Sequence, residues 1–507
     1  MYVHKYQPYY LNIEERVPEL SRNRRRLVLA VCCSSLFIVG LDVTVLNIAL
    51  PSIQHDLHAP VSGLQWTVDA YTLVAASFLI LAGSTGDRVG RRRTFQAGLA
   101  IFTLGSLLCS LAPGLGWLIA FRAVQAIGGS MLNPVALSII ANTFTDDRER
   151  ARAFGVWGAV FGLSMALGPV LGGVLVATVG WRGIFWVNIP VGIAAIVLTA
   201  LVVPESRAAR PRRVDPVGQV LIIVMLASLT YAIIEGPRLG WSSPAILGLF
   251  ALAAVAAAAI GIYEPRREDP LLDLRFFRSA PFTGAVLIAI SAFAALAGFL
   301  FLNTLYLQDV RQLSPLHAGL YTLPVGAMTV LLAPLSGRIT GHRGPRLPLL
   351  VAGVMTTVGA LVMWGVTATT PTAWLLLGYL AFGIGNGMVN PPISNTAVSG
   401  MPRAQAGVAA AVASTSRQVG GSLGVALTGS AVASALHGPL RTGFVPASHV
   451  AWLIIAGCGV LVTVTGLATS GRWARATAAR TAHLLISDEP KVPVATGSGV
   501  VSGSHDH

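Results

Sequence analysis

Long apolar runs alternate with short polar connections between residues 27 and 470. Each run holds about 20 residues, enough for a helix to cross a hydrocarbon core roughly 30 Å thick, and about fourteen runs meet this criterion. They lie at 27–49, 64–84, 94–113, 115–142, 151–177, 181–203, 215–235, 243–263, 281–306, 315–339, 346–367, 372–398, 404–435 and 448–469. The pattern therefore predicts an all-α polytopic membrane protein.

Arginine residues are concentrated in every second connection. Clusters at 88–93 and 148–152, for example, follow even-numbered runs, whereas odd-numbered runs are followed by single residues such as Arg182 and Arg311. Positive side chains are enriched in the cytoplasmic loops of membrane proteins. We therefore expect both termini in the cytoplasm and an even number of spans.

Composition agrees with this prediction and argues against a soluble or nucleic-acid-binding protein. Of 507 residues, 54% are hydrophobic and only 11% are charged, whereas about a quarter are charged in soluble domains. The net charge of +14 does not indicate a nucleic-acid partner, because the arginines lie in connections and not on the face of a soluble domain. The 4 cysteines lie inside apolar runs and predict no disulfide framework. The histidines lie in tails, loops and run edges, so we predict no metal site.

Two parts of the chain repeat one another in the same order. The segment GGSMLNP at 128–134 recurs as GNGMVNP at 385–391, and Gly155-Val156 recurs as Gly407-Val408. A nearly constant separation indicates duplication of a six-span unit, and the seventh and eighth runs have no counterpart. Two parallel halves of this kind are typical of transporters that alternate access at their interface.

The predicted fold is two six-helix bundles in parallel repeat with two inserted central helices, fourteen transmembrane helices in all. The divisions are a cytoplasmic N-terminal tail at 1–26, the first bundle at 27–203, a linker with the inserted helices at 204–280, the second bundle at 281–470 and a cytoplasmic C-terminal tail at 471–507.

Few ionisable residues lie inside the runs, and three of them fall at comparable depth in the first half. Asp42, Asp69 and Arg122 are all placed in the outer half of the bilayer by the helix rise along their runs. Charges are costly in hydrocarbon, so such residues are functional candidates by default. A carboxylate beside a guanidinium in low dielectric can hold one exchangeable proton. Structural alternatives stay open: a helix end wetted by headgroups for Asp42, a static ion pair for Arg122 and interfacial solvation for Asp69.

The second half lacks these charges. The positions equivalent to Asp42, Asp69 and Arg122 hold Gly298, Val325 and Tyr379. The duplicated fold therefore does not require an acid at the first position, which favours a coupling role for it. Polar residues of the second bundle are Arg417, which takes the place of Met165, and its neighbour Gln418. Glu235 and Asp309, near the outer ends of their runs, are interpreted as interfacial.

The connection between the second and third runs has a distinctive order of residues. It reads Gly83-Ser-Thr-Gly-Asp87-Arg88-Val-Gly90-Arg91-Arg92-Arg93. Glycine permits a tight turn and a close approach of backbones, while arginines alone could serve as anchors at the cytoplasmic surface. With this loop the chain resembles the major facilitator superfamily, whose signature it is.

Other motifs narrow the resemblance. The chain is similar to the fourteen-span drug:proton antiporters in Leu41–Pro51, in Arg122 with Gln125, in Gly168-Pro169 with Gly172-Gly173, and in Trp181–Gly192. The resemblance covers essentially residues 27–470.

The resemblance implies a role for each matched residue. Asp42 would couple to protons or bind a cationic substrate, Arg122 would assist proton transfer, and Asp69 matches some members only. A latch between the halves in the outward-facing state would be formed by Gly83, Asp87, Arg88, Gly90, Arg91 and Arg92. A kinked antiporter gate in the fifth span, the motif associated with exporters, would be formed by Gly168, Pro169, Gly172 and Gly173. Proline removes a helix hydrogen bond, and small residues let helices pack closely.

The sequence thus predicts proton-coupled export of amphipathic, cationic drugs or antibiotics across a bacterial plasma membrane by alternating access. The expected partners are a small-molecule substrate, protons and the lipid bilayer, with no nucleic acid, for a monomer. No enzyme signature occurs, and no cofactor is expected beyond the proton gradient. Alternatives are an exporter of a self-made metabolite, siderophore or lipid, an uptake symporter, and a membrane enzyme or sensor that transports nothing.

Overall fold

The computed structural model describes residues 21–207, 215–267, 270–271, 273–399, 401 and 406–487. Residues 1–20 and 488–507 of the two predicted tails (1–26 and 471–507), and residues 208–214 of the linker, lie outside the described residues. Within the described part, every regular element is helical. This confirms the all-α class.

The helices are α1 (Arg22–Leu57), α2 (Val61–Val89), α3 (Arg91–Ser110), α4 (Leu115–Thr143), α5 (Asp147–Val179), α6 (Gly183–Trp186), α7 (Asn188–Val202), α8 (Pro216–Leu239), α9 (Pro244–Tyr263), α10 (Ala280–Leu305), α11 (Pro315–Arg343), α12 (Arg346–Trp364), α13 (Thr372–Val398), α14 (Ala406–Ala435), α15 (Leu440–Thr469) and α16 (Arg472–Ser487). Short 3₁₀ turns lie at Glu264–Arg266 and Leu274–Arg278, and a π-helical turn lies at Tyr306–Val310.

Among the described residues, 12 helical segments are long and apolar enough to cross a membrane. The predicted spans that coincide with α3 and α14 are not among them. The first of these helices begins with three arginines, and the second is rich in Ser, Thr and Gly. Both nevertheless pack inside the bundle, α3 against α4 and α14 against α10. A polytopic membrane protein is confirmed, and the number of crossings stays a prediction.

Several helices extend beyond the apolar runs that predicted them. The run at 27–49 is part of the longer α1, whose Ser21 hydroxyl accepts a hydrogen bond from the Arg24 backbone N–H at 3.3 Å. Conversely, the run at 181–203 is divided at Val187 into α6 and α7. Hydropathy locates the part of a helix in hydrocarbon, but helical hydrogen bonding continues where water can solvate charged side chains.

The segment after residue 471 contains a helix that the sequence analysis did not anticipate. The Thr477 hydroxyl of α16 accepts a hydrogen bond from the Ala280 backbone N–H at 3.0 Å. Leu485 is buried in a cluster with Phe276 and Phe282. The described part of the predicted C-terminal tail is therefore packed against the start of α10.

The first half (α1–α7) and the second half (α10–α15) meet chiefly through two helix pairs, α5 with α11 and α2 with α14. A methyl group added at Gly173 would lie 2.6 Å from the Pro315 carbonyl oxygen, and one at Gly326 would lie 2.7 Å from the Ala166 Cα. These positions lie toward the ends of α5 and α11 that are remote from the arginine-rich connections. We call this side of the molecule the closed end.

The same helices separate toward the arginine-rich side, which we call the open end. Along α5, a methyl group at Gly162 would reach Val330 at 3.5 Å, whereas Gly158 and Gly155 have open space around them. The two halves therefore enclose a cleft that is closed at the arginine-poor end and widens toward the arginine-rich end.

The inserted helix α8 lies along the α2–α14 contact. Gln219 donates a hydrogen bond to the Ser77 carbonyl of α2, and Ser430 of α14 donates one to the Ile233 carbonyl. Glu235, interpreted from the sequence as interfacial, lies near the end of α8, where it is buried, accepts a hydrogen bond from Trp66 Nε1 at 3.0 Å and pairs with the exposed Arg238. The helix is thus attached to both halves.

Candidate functional site

Asp42 of α1 and Arg122 of α4 form an ion pair in the interior of the first half. Arg122 Nη1 lies 2.5 Å from Asp42 Oδ2, and their side chains are only 1% and 2% exposed, respectively. Each residue lies inside a long helix packed by apolar neighbours, so water has no direct access to the pair. The pairing predicted as one possibility from their similar depth is present in the structure.

Two amide side chains complete the coordination of the Asp42 carboxylate. Gln125 Nε2 and Asn188 Nδ2 donate to Asp42 Oδ1 at 2.8 and 3.1 Å. Gln125 Oε1 in turn accepts from Arg122 Nη1 at 2.8 Å, while Asn188 also donates to the Ser106 hydroxyl at 3.1 Å. The carboxylate therefore has three donors from two helices, α4 and α7.

Gln125 and Asn188 belong to two of the sequence motifs, Arg122 with Gln125 and Trp181–Gly192, and neither residue was assigned a role. The signal that could have found them is their polarity inside otherwise apolar runs, since buried amides require partners. We call Asp42, Arg122, Gln125 and Asn188 the charged cluster.

Aromatic rings enclose the guanidinium of the charged cluster. The Arg122 Cζ lies 4.5 Å from the centroid of the Tyr71 ring and 6.0 Å from that of Phe185. A cation over a ring face is stabilised by the ring quadrupole. Binding of one proton can abolish the ion pair. Protonation gives a neutral Asp42 side chain, and the Arg122 guanidinium is then held by the aromatic rings and by Gln125.

Asp69 does not belong to the charged cluster. It is fully buried where α2 meets α14, and its Oδ1 accepts a hydrogen bond from the Thr72 hydroxyl at 3.2 Å. Its Oδ2 and the Ser422 hydroxyl of α14 are both buried, and Ser422 is the α14 side chain that interacts with the Asp69 carboxylate. The interfacial solvation considered for Asp69 is therefore wrong, because its side chain lies inside the contact between the halves.

The predicted latch loop pairs within its own half. Arg91 Nη2 lies 2.9 Å from Asp87 Oδ1, and the Arg92 backbone N–H donates to Glu205 Oε1 at 3.1 Å. Gly90 has a φ of 123°, and any Cβ there would meet the Glu205 carboxylate, so both conformation and space require glycine. Glu205, at the end of the first half, is the partner that the sequence analysis missed.

The remaining latch residues have simpler surroundings. Arg88 is exposed, and Gly83 packs near Pro134 of α4, where an added methyl group would lie 3.7 Å from the proline Cβ.

The predicted gate residues connect the charged cluster to the contact between the halves. Gly168 and Gly172 pack against Thr44 and Val45 of α1, within one turn of Asp42. On another side of α5, the Pro169 carbonyl lies against Gly319 of α11, and Gly173 lies against Pro315. A shift of α5 relative to α11 would therefore be transmitted to the α1 segment that holds Asp42.

The polar residues predicted in the second half lie on α14. Arg417 contacts Ser394 and Ser414, and Gln418 is partly buried beside it. In the described part of the chain, no group of three or more His, Cys, Asp or Glu residues is arranged to hold a metal ion.

Comparison with known proteins adds the following findings. The family model described as Major Facilitator Superfamily matches residues 32–425. The multidrug resistance protein Stp of Mycobacterium tuberculosis is 36% identical over 420 residues, which cover 83% of this chain and 78% of that protein. The tetracenomycin C resistance and export protein of Streptomyces glaucescens is 36% identical over 418 residues, covering 82% of this chain and 77% of that protein.

A solved structure also resembles this chain. The crystal structure of a bacterial homologue of the human lysosomal transporter Spinster, in an inward-facing and occupied conformation, matches with a TM-score of 0.60. The match covers 92% of this chain and 98% of that chain at 18% identity, which shows a shared fold.

Proposed function

This chain belongs to the major facilitator superfamily, and from that premise we propose that it exports amphipathic, cationic drugs or antibiotics in exchange for protons. The names of its relatives, which refer to multidrug resistance and to export, support the substrate class. The membrane is the inner membrane of a bacterium, with both termini on the cytoplasmic side. The protein works as a monomer with fourteen crossings, and the proton gradient is its energy source.

The observation that supports proton coupling best is the charged cluster. The partners of the buried Asp42 carboxylate are one guanidinium and two amides. The carboxylate can be ionised and paired with Arg122, or protonated and neutral, and few other groups in the first half can do so. Protonation from the outside would break the pair with Arg122, and release to the inside would restore it. Since Gly168 and Gly172 pack on the same segment of α1, each change would bias the packing of α5.

The cleft supplies the route for the substrate. With the arginine-rich end taken as cytoplasmic, the described conformation opens to the cytoplasm and is closed toward the outside. The substrate enters from the cytoplasm, and opening of the α5–α11 and α2–α14 contacts releases it outside. The loop from Gly83 to Arg92 would latch the opposite end during that step.

Export by everted membrane vesicles tests this proposal. A fluorescent cationic dye should accumulate in vesicles that contain the wild-type protein when a proton gradient is present, and Asp42→Asn should reduce accumulation to the level of vesicles without the protein. Asp273→Asn, the same substitution in a connection, serves as the matched control and should retain transport. Dye transport that survives collapse of the proton gradient, or that is unchanged in Asp42→Asn, would contradict proton coupling.

A second candidate is export of a compound made by the producing organism, a metabolite, siderophore or lipid. The similarity to a tetracenomycin C resistance and export protein favours it. Both candidates share the fold and the coupling site, so they differ only in the substrate. A position of the gene beside a biosynthetic cluster, with accumulation of the product in a deletion strain, would support this candidate.

A further inference from the structure

The guanidinium of Arg417 on α14 is directed toward other helices of its own half, since its Cζ lies 6.0 Å from the centroid of the Phe293 ring of α10. The next turns of α14, at positions 421, 425 and 429, contact α2. A methyl group at Gly421 would lie 4.0 Å from Thr72, and the Val425 carbonyl accepts a hydrogen bond from Gln65 at 3.3 Å. Arg417 is one turn nearer the open end than these contacts and is partly exposed. Its guanidinium therefore lies beside the cleft.

The hydrogen bonds of Arg417 leave its charge uncompensated. Nη2 donates to the exposed Ser394 of α13 at 2.7 Å, and Nη1 donates to Ser414 at 3.3 Å. Nε is buried and has no partner. A guanidinium has five donors, so most of the fork is unused. Both partners are neutral hydroxyl groups.

No acidic residue is in a position to neutralise Arg417 from its own half. Between residues 280 and 487 the sequence has a single acidic residue, Asp309, which lies in the π-helical turn at the closed end. In the described part of the chain, no carboxylate lies within ion-pair distance of Arg417. This contrasts with Arg122, whose carboxylate partner is 2.5 Å away. A cation inside a membrane protein is costly unless it is paired, so an unpaired arginine beside a cleft indicates a binding partner from outside the chain.

We propose that Arg417 binds an anionic group, a carboxylate, on the transported compound. The planar guanidinium matches a carboxylate through two parallel hydrogen bonds, and the amino N–H groups that Ser394 and Ser414 do not use can form them. The substrates would then include amphipathic zwitterions, which carry a carboxylate in addition to a cationic group. This inference rests on the proposed export function and deepens it.

A matched pair of dyes provides the test. Tetramethylrhodamine and its methyl ester share a cationic chromophore, and only the first has a free carboxylate. With the purified full-length protein in neutral detergent, fluorescence anisotropy should show that the acid binds about tenfold more tightly than the ester, the size of one charge-assisted hydrogen-bonded contact. Arg417→Gln should remove this preference, and Arg417→Lys should retain part of it. Arg441→Gln, at an exposed position outside the cleft, should retain all of it.

Two results would overturn the inference. One is equal affinity of the wild-type protein for the ester and the acid. This measurement uses no variant, so misfolding of a variant cannot affect it. The other is a folded Arg417→Gln protein that keeps the preference for the acid. Export of the ester without any preference for the acid overturns this inference alone, whereas failure of everted vesicles to export any cationic dye overturns the proposed function.

An anionic lipid headgroup presents similar chemistry, and a competition experiment separates the two sources. Addition of phosphatidylglycerol should leave binding of the acid dye unchanged. Competition by phosphatidylglycerol that disappears in Arg417→Gln would assign the arginine to lipid and overturn its assignment to the substrate.

Discussion

Equivalent positions in the two halves have opposite chemistry. In the first half, Asp42 and Arg122 form a buried ion pair. In the second half, their counterparts are Gly298, which packs against Thr428, and Tyr379, whose hydroxyl donates to Asn303 Oδ1 at 2.5 Å. This tyrosine belongs to an aromatic group centred on Phe299, whose ring contacts those of Tyr379, Phe382 and Trp452.

The difference shows that this arrangement of helices is built without charge at these two positions in the second half and with charge at them in the first half. Desolvation of a buried ion pair offsets much of its Coulombic gain, so an apolar replacement of similar volume is often as stable. The aromatic group of the second half is such a replacement, with Phe299 and Phe382 stacked at a centroid distance of 4.2 Å. This arrangement of helices therefore does not require the charged cluster for stability, which supports the proposed role in coupling.

The largest effect is expected from breaking the ion pair. Arg122→Gln leaves the Asp42 carboxylate buried without its counter-ion, and removal of one partner of a buried pair costs about 3–5 kcal/mol. We expect a lower thermal unfolding midpoint in detergent together with loss of dye export. In Asp42→Asn/Arg122→Gln, no unpaired charge remains, so stability should recover while export stays absent.

The double variant separates the two interpretations of Arg122. A double variant that recovers both stability and proton-coupled export would show that the pair is only structural.

A smaller but clear effect is expected from the contact between the halves. Gly173→Val places a side chain against the Pro315–Leu316 backbone, where even a Cβ atom would lie 2.6 Å from the carbonyl oxygen. The closed end should then fail to close, so export should fall by about tenfold or more, as for other overpacked sites. A cysteine introduced near the closed end should react faster with an impermeant thiol reagent added outside.

The matched control for this variant is Gly155→Val, because Gly155 lies on the same helix with open space around it. Equal loss of export in both variants would show that the effect comes from α5 itself and not from its contact with α11.

The smallest effect is expected in the aromatic group. Tyr379→Phe removes one hydrogen bond to Asn303 and retains the ring, which should cost about 1 kcal/mol. We expect a small decrease in the thermal unfolding midpoint and proton-dependent export like that of the wild type. Loss of coupling in Tyr379→Phe would mean that the second half also takes part in proton transfer, and the contrast between the halves would be wrong.

Much of the architecture could be predicted from the chain alone. Apolar run length depends only on local composition, and it predicted helices at all positions from α1 to α15 but not at α16. Charged residues in hydrocarbon are rare enough that Asp42 and Arg122 were identified without any structure. Helix ends were less accurate, as at α1 and α15, because helical hydrogen bonding does not stop where hydropathy falls.

The partners of these residues were decided by the tertiary structure. Asn188 is far from Asp42 in sequence, and no local pattern indicates that α7 places its amide beside that carboxylate. Equal depth in the membrane suggested Asp69 as a third member of the same site. Depth does not determine in which direction around the helix axis a side chain points, and that of Asp69 faces α14. The pairing of the loop after α2 with Glu205 has the same cause.

The sequence by itself therefore determined that the chain is a polytopic helical membrane protein, that Asp42 and Arg122 lie inside helices of the first half and which family the chain resembles. The tertiary structure decided which charges are paired, since pairing depends on helix rotation and packing between residues far apart in the chain. It also decided that the Asp42 carboxylate accepts three hydrogen bonds, whereas Arg417 beside the cleft donates only to serines in the described part of the chain. Burial and pairing depend on how the helices pack together. The sequence shows which residues can form a buried pair, but not which of them do.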